Sequence, residues 1–409
     1  MKTNVEKPLS GLKVIELSTF LAAPACTKLL VDWGAEVIKV ESFKGDPFRT
    51  FGPNFNVTAS DEENPLFDSL NGCKRSIVID IKKPSGLKIL YRLMEQADIF
   101  VTNNRDKALV KAGLDYETVK GMFPRLIYAH LTGFGDVGPK KDAPGFDTVA
   151  FWAASGFLAD MPVKSEQNLP VNAPTGMGDV ITSMMLSSAL LGALYARERT
   201  GRGDRVTVSL YGTAIWAMSV MITAAQEKYD FKYPKERYEL APCSFLTKDG
   251  VWIQTTILEY ERYFPSLCKV LGVPEMAEDN RFKTLKESLR PENKRYQIEL
   301  FEKIYATRTA DEWIKLIREA DIVVDKLSHY KNIHTDQQAL QNGFITTHTL
   351  PNGGTCTISR PSARFDSMAV QPTMSGPLLG ENTCEILKEI GLNEDEIKEL
   401  ELEKVVGII

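Results

Sequence analysis

The sequence predicts an α/β fold, with a large domain built on a parallel sheet and a smaller α+β domain beside it. Three observations predict this. Short β-branched runs alternate with helical patterns through the first half of the chain. One alternation completes a strand–helix–strand unit within about thirty residues. The composition then breaks at residues 228–240, which are rich in Lys, Glu, Tyr and Pro and read as a segment crossing between domains.

The first strand is Lys13-Val-Ile-Glu-Leu17. Pro24 suits the opening turn of a helix through Leu30, because the first turn has no use for the N–H that proline lacks. Gly34 stops that helix, and Glu36–Glu41 is the next strand. Ser76–Ile81 then reads as a strand, Ser85–Gln96 as a helix, and Asp98–Thr102 and Arg125–Thr132 as strands. Such alternation implies a parallel sheet covered on both faces. Val180–Arg199 is a long, mostly apolar helix ended by Thr200-Gly-Arg-Gly203. A strand at Arg205–Leu210 and an apolar helix to about Glu227 follow. Lys248-Asp-Gly250 turns the chain into a strand over Val251–Thr256. Three helical patterns reach Ala320, one of them opened by Thr309 with Glu312 three residues on, a capping box. Short strands and two helices close the sequence, the last helix capped by Asn393 with Glu396. The expected domains are a large one over 1–225, completed by 326–409, and a small one over 226–325.

Composition narrows the function. The 409 residues are 43% hydrophobic and 25% charged, which excludes a wholly disordered, collagenous or coiled-coil chain. A net charge of −5 without a long block of one sign argues against nucleic acid or an anionic membrane as main partner. Six scattered cysteines form no C-x-x-C pair, and four histidines add no metal-ligand spacing. The N-terminal residues Lys2, Glu6, Lys7, Lys13 and Glu16 leave no apolar stretch of the signal-peptide kind. Met184–Ala196, the longest apolar run, is shorter than the roughly 20 residues of a bilayer span. A reduced, soluble, cytoplasmic protein without a metal is expected.

Two glycine clusters compete for attention. Gly133-Phe-Gly-Asp-Val-Gly138 has dinucleotide spacing, but Pro139-Lys-Lys-Asp-Ala-Pro144 cannot form the helix whose N-terminus would hold a pyrophosphate. The first strand–helix turn, Ser18–Pro24, has no glycine, so a nucleotide-binding oxidoreductase is unsupported. Arg202-Gly-Asp204 is read as a turn, and neither a G-x-S-x-G elbow nor a P-loop occurs. The second cluster, Pro174-Thr-Gly-Met-Gly-Asp179, directly precedes the apolar helix. Asp179 can be a simple N-cap, or an ionised carboxylate poised as nucleophile between close-approach glycines.

The sequence resembles the family III, formyl-CoA transferase type, CoA-transferases. The likeness rests on Leu12-Lys-Val-Ile-Glu-Leu17, Ala22-Ala-Pro24, Gly34-Ala-Glu-Val-Ile-Lys-Val-Glu41, Asn71-Gly-Cys-Lys-Arg-Ser76, Asp98-Ile-Phe-Val-Thr-Asn103, Pro144-Gly-Phe-Asp147, Gly176-Met-Gly-Asp179, Thr200-Gly-Arg-Gly203 and Gly376-Pro-Leu-Leu-Gly-Glu-Asn382. It implies a Rossmann-like large domain, an interlocked homodimer, and Asp179 as nucleophile of an anhydride and aspartyl-CoA thioester route. Coenzyme A would be a substrate, with no prosthetic group. Gly176 and Gly178 are natural oxyanion donors. By family position CoA would draw on Ala22, Ala23, Pro24, Lys74, Arg75, Asn103, Asn104 and Lys111, and Leu21, Phe146 and Asp147 would face the substrate. Leu21 stands where many relatives have Gln, and residues 243–265 hold Gly250 alone rather than a glycine-rich lid. Racemases of the family carry a His where this chain has Phe146, which cannot move a proton. A non-catalytic CoA-binding relative is disfavoured by Asp179. Within the family the chain most resembles (R)-2-hydroxyacid CoA-transferases of amino-acid fermentation, acting on 2-hydroxyisocaproate, or alternatively phenyllactate, with their enoyl-CoA partners.

Overall fold

The computed structural model describes residues 7–160, 173–229, 231, 243–366 and 373–408. The expected crossing segment at 228–240 lies mostly outside them. The chain divides into one unit of Met1–Leu158, Asn172–Gln226 and Gln337–Ile409, and another of Ala159–Val171 and Glu227–Asp336.

In the larger unit, β1 (Lys13–Leu17) leads into α1 (Ala22–Asp32) and β2 (Glu36–Glu41). Pro24 is the third residue of α1, within the turn whose amides have no intrahelical partner. β3 (Arg75–Ile79), α2 (Pro84–Glu95), β4 (Ile99–Thr102) and β5 (Ile127–Thr132) follow, then α3 (Met177–Thr200), β6 (Arg205–Ser209), α4 (Leu210–Ala217) and α5 (Ser219–Ala224). The apolar helix expected after β6 is broken at Met218, which leaves helical geometry between α4 and α5.

In the smaller unit, β7 (Ser244–Leu246) and β8 (Trp252–Thr256) are followed by α6 (Tyr260–Val270), α7 (Pro291–Tyr305), α8 (Ala310–Glu319) and β9 (Val323–Lys326). The three strands form an antiparallel sheet. Phe245, Ile253, Phe264, Phe301, Tyr305, Trp313 and Ile317 build its core. The Thr309–Glu312 capping box opens α8. The small domain expected over 226–325 corresponds to a unit that includes β9, which pairs with β8, and that continues to Asp336.

The chain returns to the larger unit with β10 (Ile345–Thr349), β11 (Thr355–Ser359), α9 (Thr383–Glu389), α10 (Glu394–Leu402) and β12 (Val406–Gly407). Its main sheet runs β12-β3-β2-β1-β4-β5-β6, parallel throughout except for β12. The order 3-2-1-4-5-6 is that of doubly wound nucleotide-binding sheets. Both faces are buried, which is why the strands read as nearly continuous apolar runs. Val14, Val37, Ile99, Val101 and Ile127 face α1 and α3, while Ile15, Ile38, Ile77, Ile79 and Phe100 face α2 and α9.

α3 is 24 residues long and, by length and composition alone, apolar enough to cross a membrane, which the shorter run Met184–Ala196 did not foretell. Its inner face packs on α1 and the sheet through Leu186 and Leu190. Ser187 Oγ meets Cys26 Sγ at 3.2 Å, a contact that needs small residues on both helices.

Candidate active site

Asp179 is the third residue of α3 and not its N-cap. That position is held by Gly176, whose φ of 80° lies where glycine is strain-free. The capping carboxylate arrives from another element. Asp147, first residue of a π-helical turn over Asp147–Ala153, accepts the Gly176 N–H at Oδ2 over 2.8 Å. The nearby amides of Gly178 and Asp179 also favour its charged form, and the Gly176 bond satisfies one donor that the helix end leaves orphaned. Of the two amides expected to serve an oxyanion, that of Gly176 is engaged by Asp147. Gly178 is required for space: a Cβ there would stand 2.2 Å from Asp147 Oδ1 and 2.4 Å from the Phe151 ring.

No described residue hydrogen-bonds to the Asp179 carboxyl, which is half-buried. Burial first, and the neighbouring Asp147 second, push it up to about 7. Burial likewise raises Asp147 above the usual carboxylate range, against the pull of the α3 amides. Two carboxyls thus share the first turn of one helix. One is tied down and the other is left unbonded, the arrangement expected of a reactive carboxylate and its support.

The turn before α1 faces this pair. A Cβ on Gly176 would lie 3.4 Å from Leu21 Cδ2, so Leu21 packs at the α3 N-cap. Phe20 has φ 63°, a left-handed conformation that is rare for a bulky residue. Its ring sits edge-on to Phe146 at 5.5 Å and to Phe51 at 6.2 Å. Phe146 is 61% exposed. It follows Gly145, which is pressed against Gly133 where the first glycine cluster leaves β5; no helix follows that cluster.

Below the turn lies a wholly buried charge network. Glu16 pairs with Lys39 at 2.7 Å and Lys74 at 2.8 Å, and Lys39 pairs onward with Asp46 at 2.9 Å. Burial alone would raise Glu16, but the two ammonium groups outweigh it and hold it well below the usual range. Burial pulls Lys74 down to about 8.

A cavity of about 1010 Å³ opens at the carboxyl ends of β1, β2 and β3, lined by Leu17, Ser18, Thr19, Glu41, Ile79 and, beyond β4, Asn104. It occupies the switch between β1 and β4, where doubly wound sheets bind ligands. Lys44, Lys82 and Lys111 bring positive charge to it. Ser18 and Thr19 line the cavity while Leu21 meets the α3 N-cap, so one turn joins the two.

Among the residues expected to contact CoA, Asn104 and Lys111 line this cavity. Lys74 does not fit: its Nζ donates to Glu16, to the Pro24 carbonyl at 2.9 Å and to Asn71 Oδ1 at 2.9 Å. Nor does Arg75, which starts β3 at the opposite end of the sheet and pairs with Glu36 and Glu389. Ala22, Ala23 and Pro24 are buried in the packing of α1, so only their backbone could meet a ligand. Asn103 clamps Thr19, accepting its N–H at 3.1 Å and donating to its carbonyl at 2.8 Å. Sequence reasoning missed Lys44 and Lys82. Their signal was a basic residue just past the end of each strand, where a parallel sheet presents its loops. Among the described residues no group of three or more His, Cys, Asp or Glu could hold a metal.

The profile of CoA-transferase family III matches residues 9–383. The chain belongs to that family. It is 37% identical over 400 residues to the (R)-2-hydroxy-4-methylpentanoate CoA-transferase of Clostridioides difficile, covering 97% of this chain and 99% of that one. It is 38% identical over 403 residues to the cinnamoyl-CoA:phenyllactate CoA-transferase of Clostridium sporogenes, covering 98% and 97%. Among solved structures it is similar to a CAIB/BAIF family protein from Brucella suis, with a TM-score of 0.79 and 27% identity over 94% of this chain and 100% of that one. Membership makes the chain a CoA-transferase.

Proposed function

We propose that this CoA-transferase moves CoA between an acyl-CoA and a free carboxylic acid with Asp179 as nucleophile. The observation that carries the reading is the unbonded Asp179 carboxyl, pushed up to about 7 in the first turn of α3 beside the capping Asp147. In the proposed sequence a carboxylate oxygen of Asp179 attacks the thioester carbon and CoA thiolate leaves, giving an acyl-aspartyl anhydride. The thiolate then attacks the aspartyl carbonyl, the donor acid departs as carboxylate, and an aspartyl-CoA thioester remains. The acceptor carboxylate attacks that thioester, and returning thiolate takes the acceptor's acyl group and frees Asp179. Each step exchanges one activated acyl group for another, so no external energy source is required. Burial raises the basicity of the nucleophile.

The cavity at the β1–β4 switch is assigned to CoA, with Lys44, Lys82 and Lys111 serving its phosphates on charge grounds. The substrate is proposed to be (R)-2-hydroxyisocaproate with its 2-enoyl-CoA as donor, in leucine fermentation. Phenyllactate is the alternative, favoured by the rings of Phe20, Phe146 and Phe51. Racemase chemistry is disfavoured because Phe146 cannot exchange a proton. We further propose a cytoplasmic homodimer. The outward side of α3 exposes Met177, Met184, Leu191 and Tyr195, and α4 and α5 add Trp216 and Val220, apolar side chains that a second copy would cover.

The test is label exchange between acyl-CoA and free acid. Asp179→Ala should lower the rate by several orders of magnitude. Enzyme given acyl-CoA alone should gain the mass of acyl or CoA on the Asp179 peptide, and hydroxylamine should convert that carboxyl to a hydroxamate. An active alanine variant with an unmodified peptide would overturn the assignment.

A further inference from the structure

Phe20 is held in a conformation its side chain disfavours, and the turn around it is clamped at each residue. The Ser18 carbonyl accepts from buried Lys39 Nζ at 3.2 Å. Thr19 is gripped through both its N–H and its carbonyl by Asn103. The Phe20 N–H donates to Asp46 Oδ1 at 3.0 Å. Asp46 is itself buried, held by Lys39 at Oδ2 and by the Phe48 N–H at Oδ1. A left-handed phenylalanine persists only where its surroundings over-determine it, and such positions cluster at ligand clamps. The gain from the strain is visible in the rings. Phe20 meets Phe146 edge to face at 76° and Phe51 at 89°, giving a continuous aromatic surface. Phe146 precedes Asp147, and Leu21 packs at the N-cap of the helix carrying Asp179.

We propose that Phe20 selects the acid: held in its left-handed conformation by Asp46, its ring forms with Phe146 the wall against which the substrate's apolar side chain packs. The inference rests on the transferase reading and deepens it to acids with a branched or aromatic side chain. Asp46 is a positioning residue. It touches the backbone of Phe20 and not the acid, and its pair with Lys39 fixes where that backbone runs. Small acids such as acetate cannot reach the wall and gain nothing from it.

Phe20→Gly is the informative variant, because it removes the ring and the strain together and so does not endanger the turn. The full chain is assayed with propionyl-CoA as the fixed donor, whose short acyl group does not reach the wall, and with acetate, 2-hydroxyisocaproate and phenyllactate as acceptors. The expected result is that kcat/KM for the two bulky acids falls relative to acetate by about 10- to 100-fold, with KM for the donor nearly unchanged. Asp46→Asn keeps an oxygen for the Phe20 N–H but loses the charge pair with Lys39. It should lower the same ratio by less, through the KM of the bulky acids and not the kcat with acetate, and should add nothing in the Phe20→Gly background. An unchanged ratio, or an equal loss with all acids together with a raised donor KM, would overturn the assignment, the latter by placing Phe20 on CoA. Absence of exchange by the unmodified chain with any acid would instead strike at the transferase reading itself.

Discussion

At the scale of single residues, the site is a contrast between two acids. Asp147 accepts the Gly176 amide at the start of α3, and Asp179 is left unbonded in its field. The sign of the pH dependence follows. A carboxyl raised to about 7 is protonated and inert below that pH, so kcat/KM for acyl-CoA should fall about tenfold per pH unit on the acid side of 7. Asp147→Asn retains an acceptor for the Gly176 N–H but removes the like charge, which should move the acid limb to lower pH. Burial, the larger cause, remains, so the limb should stay above the ordinary carboxylate range. A rate profile whose limb does not move would contradict this coupling. The Asp179 string was legible as a candidate, either an N-cap or a nucleophile between glycines, and the family likeness favoured the second. Its neighbours were not. Lys74 reads as a phosphate ligand until Glu16, 58 residues away, is found to hold it inside the protein. Asp147 gives no local sign that it caps a helix 29 residues later.

At the scale of elements, α3 joins a reactive end to a structural body, and its first turn tolerates little. Gly178→Ala would drive a Cβ into Asp147 Oδ1 and the Phe151 ring. The expected cost is about 2–4 kcal/mol of stability, read as a fall in thermal midpoint, with transfer activity lost while secondary structure by circular dichroism remains. Gly192→Ala on the same helix meets open space and should be neutral or mildly stabilising. Strands and caps were legible element by element, since β-branched runs and the Thr309–Glu312 and Asn393–Glu396 boxes are local signals. The break at Met218 and the start of α1 at Ala22 were not, because tertiary packing decides where those helices begin and end.

At the scale of the whole molecule, alternation in the sequence foretold a parallel sheet but not its order, and the order is what places the cavity. Lys82→Ala and Lys111→Ala should each raise KM for acyl-CoA about three- to tenfold, less at high salt, with little change in kcat. Light scattering at micromolar concentration should return twice the mass of one chain, and Trp216→Glu on the exposed apolar face should lower it toward one. The same sheet has a further consequence, for synthesis. Its β3 edge is closed by β12, which pairs Val406 with Ile79, and the start of α9 is tied to β3 by Asn382, which accepts the Ser76 N–H, and by Thr383, which accepts the Val78 N–H. A ribosome must therefore read past residue 407 before a strand made near residue 75 gains its last neighbour. The smaller unit, with its core assembled from residues 245–324, is complete well before then. Translation thus builds the inserted part first and leaves the catalytic sheet with an open edge until the end, the interval in which a nascent chain of this design depends most on chaperones.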